Sequence, residues 1–379
     1  MRTCIATGEY WRGGETFINR HIQLIFGGDT VVLCGRFHGE NKYDRPYFVR
    51  RKRGATAADI VSAPYWALRN RIAHGTSRLP FGSAKRDLIR FLRDEKVELI
   101  LAEFGTQALA IAPLANELGL PIFTYFRGTD ASKAIQTEKM REAYRRMMPR
   151  LAGVISVSQF LLDNLARHGI THPNAHVIPS GVDVRRFRPA EKIPGSFLAV
   201  GRFVEKKAPL LTLKSFAEAT RNVPSARLTM IGDGPLLDNA KALAAELGAA
   251  DRVIFPGAQP HEAVRDELAR TQYFLQHSIT AADGNTEGLP TAIQEAMAAG
   301  CITISTRHAG IPEAVDEGVT GYLVDEHDVD GFTQAVGLAL ALDTPKQMSD
   351  RARAVAEQRF DNDILLAKLE KTIQDTLAN

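Results

Sequence analysis

Residues 196–222 read SFLAVGRFVEKKAPLLTLKSFAEATRN. An apolar run up to Val200 predicts a strand, and Gly201 with Arg202 ends it. A short charged turn follows, and from Pro209 an amphipathic stretch predicts a helix. Strand, glycine turn and helix in succession form the repeating unit of a parallel sheet covered by helices. Working outward, the unit recurs. Downstream, ARLTMIGDG (226–234), DRVIFPGA (251–258), YFLQHS (273–278), CITISTRH (301–308) and GYLVDE (321–326) predict strands. Between them PLLDNAKALAAELG (235–248) and PTAIQEAMAAG (290–300) predict helices. Upstream, MRTCIAT, TVVLCGRF, VELILAEF, PIFTYFRG, GVISVS and AHVIPSG predict strands, with helices in AKRDLIRFLRDEK and TQALAIAPLANELG. The expected fold is α/β, with two doubly wound Rossmann-like domains facing a central cleft.

The chain has 379 residues, more than one core comfortably serves, which fits two domains. The Gly, Pro and charge-rich stretch GVDVRRFRPAEKIPG (181–195) is the expected linker, giving domains 1–185 and 186–360. A last amphipathic helix, about 361–379, carries Ile364, Leu365, Leu369 and Ile373 on one face and is free to pack back on the first domain. No apolar run is long enough for a membrane span, and the N-terminus has no signal-peptide pattern, so a cytoplasmic location is expected. Cys4, Cys34 and Cys301 are too scattered for a disulfide frame or a metal site. The net charge of +3 conceals an asymmetry: residues 1–190 carry about 29 Lys and Arg against about 17 Asp and Glu. RRKR (50–53) and RRMMPR (145–150) are the densest basic clusters, and a solvated face is the plain alternative for each. A basic half fits an anionic partner.

Chemistry concentrates in a few loops. In EGLPTAIQEAMAAG (287–300), Pro290 suits a helix start, so Glu287 precedes the helix and Glu295 lies inside it. The N–H groups of Gly288 and Leu289 and the helix dipole make that start an anion site. Glu295 sits in an otherwise Ala-rich helix that reads as buried, and neighbouring sugar hydroxyls are suitable donors to such a carboxylate. Gly201, Arg202 and Lys207 place a guanidinium fork and an ammonium at a strand end, fit for a diphosphate. In TGEYWRGGETF (7–17), Gly13 and Gly14 allow close backbone approach to a phosphate or sugar. IGDGPL (231–236), with Gly234, is a further strand-end glycine loop. The Asp pairs at 328–330 and 361–363 read as helix caps. No dinucleotide fingerprint, P-loop, zinc motif or esterase elbow is present.

Together these stretches resemble the retaining GT-B glycosyltransferases of glycosyltransferase family 4. EGLPTAIQEAMAAG is similar to the family's glutamate-x7-glutamate signature, and VGRFVEKKAP (200–209) to its Gly-Arg…Lys phosphate motif, with Ala208 in place of the usual Gly. VIPSGVDVRRFRP (177–189) and AGIPEAVDEGVTGYLVDEHD (309–328) resemble its interdomain segment and the stretch after the signature helix. GGETFINRHI, HSITAADGNTEGLP and STRHAGIPEAV are closest to the colanic-acid and amylovoran branch.

The resemblance implies an acceptor-side N-terminal domain and a donor-binding C-terminal one. Arg202 and Lys207 would hold the diphosphate as leaving group, Glu295 the ribose hydroxyls, and Glu287 with Gly288, Leu289 and Pro290 the donor sugar. Gly13, Gly14 and Gly234 would complete the donor set; Glu15, Glu103 and Asp130 would face the acceptor. It implies a UDP-sugar or GDP-sugar donor, no metal or other cofactor, and a glycan or polyprenyl-linked acceptor. It also implies contact with the anionic inner face of the plasma membrane, and no nucleic acid. Two departures stand out. FRGTDAS (126–132) puts Arg127 where the family often has His, while keeping Asp130, and AEFG (102–105) puts Glu103 where this branch often shows His. Arg127 cannot serve as a base but remains able to meet a donor phosphate or an acidic sugar. They leave open a non-catalytic nucleotide-sugar-binding scaffold, or a phosphorylase or epimerase on the same fold.

Overall fold

The computed structural model describes residues 1–11, 16–39, 41–50 and 56–378. Two compact units divide the chain: residues 1–178 with 366–379, and residues 179–365.

The first unit carries β1 (Thr3–Tyr10), β2 (Thr30–Phe37), β3 (Tyr47–Val49), β4 (Leu99–Glu103), β5 (Ile122–Phe126), β6 (Gly153–Ser156) and β7 (Ala175–Val177). Every pairing is parallel, and the strand order is β3-β2-β1-β4-β5-β6-β7. Its helices are α1 (Thr16–Leu24), α2 (Ala57–His74), α3 (Gly82–Asp94), α4 (Gly105–Glu117), α5 (Glu138–Met147) and α6 (Gln159–Ala166). β4 and β5 are buried along their whole length, as continuous apolar strands between two helical layers must be.

The second unit carries β8 (Ile193–Val200), β9 (Arg227–Ile231), β10 (Val253–Gly257), β11 (Thr271–Gln276), β12 (Ile302–Thr306) and β13 (Gly321–Val324), again all parallel, in the order β10-β9-β8-β11-β12-β13. Its helices are α7 (Pro209–Ala219), α8 (Leu237–Glu246), α9 (His261–Arg270), α10 (Thr291–Ala298), α11 (Val329–Leu340) and α12 (Pro345–Arg359). Phe197 anchors the core, stacked on Tyr273 at 4.7 Å between ring centroids and edge-on to Phe216 at 5.2 Å. In each unit the order of connection reverses between the first and fourth strands (β1 and β4, β8 and β11). Ligands of doubly wound sheets bind beyond the carboxyl ends of the strands at such a reversal.

Helix α13 (Asn362–Ala378) begins in the second unit, and from Leu366 onward it belongs to the first. Within the first unit Glu370 accepts from the Phe26 N–H at 2.6 Å, and Lys368 donates to the Val177 carbonyl at 3.0 Å. The division falls at 178/179 rather than 185/186 because the expected linker is strapped to the second unit. Gly181 N–H donates to Gln294 Oε1 at 2.9 Å, Val182 bridges to Asp361, and Arg353 donates to the Val184 carbonyl at 2.8 Å. Asp328 and Asp361 cap α11 and α13 as expected.

Ala208 explains a departure noted above. Its backbone is left-handed (φ 37°, ψ 53°) between the 205–207 turn and α7, a conformation that glycine adopts freely and that costs other L-residues about 1–2 kcal/mol. The basic cluster RRMMPR lies around the end of α5, where Arg145 and Arg146 pair with Glu138 and Glu142 of the same helix. These exposed pairs partly offset the cluster's charge on a solvated surface face.

Candidate functional site

The second unit gathers its chemistry at the carboxyl ends of β8, β11, β12 and β13. After β8, the 205–207 turn buries Lys206 and Lys207, whose side chains are 10% and 17% exposed. After β11, a long loop runs to Pro290 and brings Glu287 between them, with Oε1 at 3.4 Å from Lys206 Nζ and 3.3 Å from Lys207 Nζ. Lys206 also donates to the Thr286 carbonyl at 3.2 Å, and Lys207 to Gln276 Oε1 at 3.3 Å. Burial alone would push the Glu287 carboxyl up; Lys207, Lys206 and His308 outweigh it and hold it at about 2. Burial pushes the Lys207 ammonium down, and Glu287 pulls against that. Despite the lysines, Glu287 Oε1 is buried without an aligned hydrogen bond. Arg202 lies exposed at the rim, and its guanidinium makes no hydrogen bond or ion pair with a described residue. Gly201, Arg202, Lys207 and Gln276 line one recess. Two ammonium groups therefore meet a single carboxylate, and Arg202 adds a third cation at the rim of the recess that Lys207 lines.

Helix α10 starts at Thr291 with Pro290 as its N-cap, one position earlier than the first-turn place expected. Glu287, Gly288 and Leu289 lie ahead of it and are buried. Gln294, fully buried, donates to the Leu289 carbonyl at 3.5 Å and so steadies this approach. Glu295 is buried within α10, and its Oε1 meets His261 Nε2 at 3.0 Å. That partner was not anticipated: His261 opens α9 and rests edge-on against Phe187. The hydrogen bond that His261 donates to Glu295 raises the His261 pKa against the opposing effect of burial.

His308, like Lys206, is also not recognised from the sequence. It follows β12, is fully buried, and its Nδ1 meets Glu326 Oε1 at 2.6 Å. Its Nε2 accepts the Glu287 N–H at 3.0 Å. Glu326, which also takes the Thr280 N–H at 2.6 Å, thus fixes the Nδ1–H tautomer and leaves Nε2 as an acceptor. Burial lowers the His308 pKa against the pull of Glu326, which keeps the ring neutral. His277 repeats the device: its Nε2 accepts the His327 N–H at 3.1 Å, and burial pushes its pKa down to about 4.

Gly234 has a structural reason of its own. With φ at +149°, a Cβ there would stand 2.6 Å from the Phe203 carbonyl oxygen. The glycine lets the loop after β9 lie against the turn after β8, so the missing side chain accommodates protein backbone.

In the first unit, β4 ends in Glu103, and Arg127 follows β5. The Arg127 side chain is 4% exposed; Nε and Nη2 both donate to Glu103 Oε2, at 2.8 and 2.7 Å. His21 of α1 meets Glu103 Oε1 at 2.5 Å. The guanidinium is sandwiched between the rings of Phe17 (4.1 Å) and Tyr125 (3.8 Å). Burial alone would raise the Glu103 carboxyl; Arg127 and His21 hold it at about 2. Arg127 and Glu103 are thus an ion pair, and Glu103 takes two of the donors with which Arg127 could meet a donor phosphate. Asp130 is also inward: its carboxylate accepts from the N–H groups of Gly105 (2.8 Å), Arg127 (3.0 Å) and Gly128 (3.1 Å), tying the turn after β5 to the start of α4. Gly13, Gly14 and Glu15 lie outside the described residues.

Known proteins agree with this architecture. Residues 184–355 match the family model described as glycosyl transferases group 1, and residues 27–186 the one described as glycosyltransferase family 4. A putative colanic acid biosynthesis glycosyltransferase of Escherichia coli K12, WcaL, is 30% identical over 288 residues, covering 74% of this chain and 71% of the relative. An amylovoran biosynthesis glycosyltransferase of Erwinia amylovora, AmsK, is 28% identical over 290 residues, 73% of this chain and 70% of its own. Among solved structures, Anabaena HepE in complex with UDP and glucose superposes with a TM-score of 0.79 at 16% identity, over 99% of this chain and 100% of that one. The fold is GT-B.

Two outcomes follow from these contacts. His308→Ala strands the buried Glu287 N–H, at a cost of about 1–3 kcal/mol in urea denaturation near neutral pH. The native ring stays neutral while the unfolded chain takes up a proton below a pH of about 6.5, so the contribution of His308 is full above that value and falls with acidification. A variant as stable as the parent at pH 7.5 contradicts the contact. Arg127→Leu leaves Glu103 buried without its counter-charge and costs about 3–5 kcal/mol, most of it recovered when Glu103→Leu is added. Additive losses in that double-mutant cycle contradict a single coupled pair.

Proposed function

The chain belongs to the group 1 glycosyltransferases, and from that premise we propose that it moves a sugar, with retention of anomeric configuration, from a UDP-sugar or GDP-sugar to a glycan or polyprenyl-linked acceptor in the making of a cell-surface polysaccharide. The observation that carries this reading is the buried cluster after β8: Lys206, Lys207 and the rim cation Arg202 outnumber Glu287, so the site lacks an anion. A nucleoside diphosphate supplies it. As the bond between sugar C1 and oxygen breaks, the electron pair leaves with the diphosphate, and fixed cations stabilise that charge without reorganising. The acceptor hydroxyl then bonds to C1, and its proton passes to the departing phosphate or to solvent.

Glu287 is ionised and aims a buried Oε1 into the same place, so it suits a donor-sugar hydroxyl and not a general acid. The Gly288 and Leu289 N–H groups, ahead of α10, suit the sugar or the phosphate beside it. Glu295 suits the ribose diol, with His261 holding the carboxylate until the diol arrives. The relatives' printed roles in colanic acid and amylovoran biosynthesis support the polysaccharide part of the proposal. Positive charge here comes from side chains, so the reaction proceeds without a metal. The basic first half of the chain faces an anionic acceptor or the membrane that carries it.

A screen of UDP- and GDP-sugars against the purified protein identifies the donor. With that donor, turnover persists in EDTA, and the product's anomeric configuration by NMR matches the donor's. Glu287→Gln lowers kcat about 10²–10³-fold with a smaller change in UDP affinity. Undiminished turnover by that variant, or full loss of activity in EDTA, contradicts the assignment.

A further inference from the structure

Helix α10 is held at its carboxyl end by side chains from two other elements. Its last carbonyls each take a donor: Arg353 Nη1 reaches Ala298, Lys192 Nζ reaches Ala299 at 2.7 Å, and Ser349 Oγ reaches Gly300 at 2.6 Å. Two cations at a helix C-terminus also suit its dipole. Arg353, of α12, does more than cap. Its side chain is 17% exposed, and Nε donates to Glu357 Oε1 of the same helix at 2.7 Å, which sets the plane of the guanidinium. Nη1 also donates to the Phe187 carbonyl, and Nη2 to the Val184 carbonyl at 2.8 Å. One planar fork thereby ties α10 to the 184–187 segment. A lysine, with a single nitrogen on a flexible stem, does not supply that geometry.

The two segments that Arg353 joins each support the same carboxylate. Helix α10 carries Glu295, whose Oε1 meets His261 Nε2 at 3.0 Å. Phe187, 3% exposed, sets its ring edge-on to the His261 ring, with centroids 5.3 Å apart. The contacts form a closed circuit. One arm runs from Arg353 through Ala298 and α10 to Glu295; the other runs through Phe187 and His261 to the same residue. Glu295 Oε2 makes no hydrogen bond with a described residue.

We propose, on the reading above that Glu295 receives the ribose diol, that Arg353 is a positioning residue that sets the site's preference for ribose over a sugar lacking the diol. By holding α10 and Phe187 in fixed relation, it aims the carboxylate with one oxygen on His261 and the other open to a hydroxyl. Two neighbouring hydroxyls meeting one carboxylate need its plane set, because hydrogen bonds weaken steeply once misaligned. Removing the guanidinium frees the end of α10 from the 184–187 segment, and the diol contact suffers first. Lys206 and Lys207 stand on the 205–207 turn, which Arg353 does not touch, so the diphosphate contacts are spared.

The test is calorimetric titration of the full chain with UDP or GDP, whichever the parent binds, and with the 2′,3′-dideoxy form of the same nucleotide. The parent prefers the ribonucleotide by about tenfold or more, the value of one hydrogen bond to a charged group. Arg353→Met brings that preference to within about threefold, by weakening the ribonucleotide while the dideoxy form binds nearly as before. Arg353→Lys, which keeps the charge and loses the fork, falls between the two. Phe187→Leu removes the ring behind His261, leaves the guanidinium's contacts in place, and lowers the preference in the same direction; with Arg353→Lys it carries the test where Arg353→Met does not fold. Equal weakening of both nucleotides by the Arg353 variants is the result of a strap with no bearing on ribose, and it overturns the proposal. So does an unchanged preference in Arg353→Lys and Phe187→Leu. A preference lost in Glu295→Gln but kept in the Arg353 variants overturns this inference alone. A parent that binds neither nucleotide overturns the functional reading and the inference with it.

Discussion

A carboxylate buried against two ammonium groups governs the second unit. Glu287 between Lys206 and Lys207 is costly to assemble, because each charge leaves water. The arrangement holds because the charges compensate and because the surrounding loop is pinned. His308 fixes the Glu287 backbone, Glu326 fixes His308, and Thr280 fixes Glu326. Gln294 ties α10 both to Leu289 and to Gly181. Compensation is nevertheless incomplete: the cations exceed the carboxylate, and Arg202 adds to the excess. A site built in this way keeps unbalanced positive charge, which on the proposed reading a phosphate-bearing ligand balances. Its place, beyond the carboxyl ends of β8 and β11, is where the reversal in strand order opens a crevice in a doubly wound sheet.

The first unit shows how a substitution can be absorbed. Two positions where the family often has histidine carry Glu103 and Arg127, and these have become each other's partner. Neither side chain is explicable alone. Buried Glu103 without Arg127 would be driven to protonate, and Arg127 without Glu103 would be a charge between two aromatic rings with its strongest hydrogen bonds lost. Arginine is no base at neutral pH, so on the proposed reading the leaving-group charge falls to the second unit's cations.

The sheets were legible because parallel strands buried on both faces leave continuous apolar runs, and those runs end in glycine. Strand β3 was missed because no glycine turn follows it, whereas the equally short β7 leads into VIPSG. Helix α2 was missed because its apolar face does not point into a core and Pro64 interrupts it, although Thr56 and Asp59 spelled its cap. Of the site, Lys207, Glu287 and Glu295 were readable from position relative to predicted strand ends and the helix start. Lys206, His261 and His308 were not, since their roles depend on what they touch. A histidine accepting a backbone N–H from a residue 21 positions earlier leaves no signal in spacing. Gly234 was read as a ligand-side glycine, but only the approach of the Phe203 backbone shows what its missing side chain makes room for.

Whether the Lys206–Lys207–Glu287 cluster is a diphosphate site is tested directly by calorimetric titration of UDP and of uridine into the parent and into Lys207→Ala. The parent is predicted to bind UDP far more tightly than uridine. The variant should lose at least about tenfold in UDP affinity, the value of one charge-assisted contact, with uridine affinity nearly unchanged. Equal losses for the two ligands, or none for UDP, would contradict a diphosphate site.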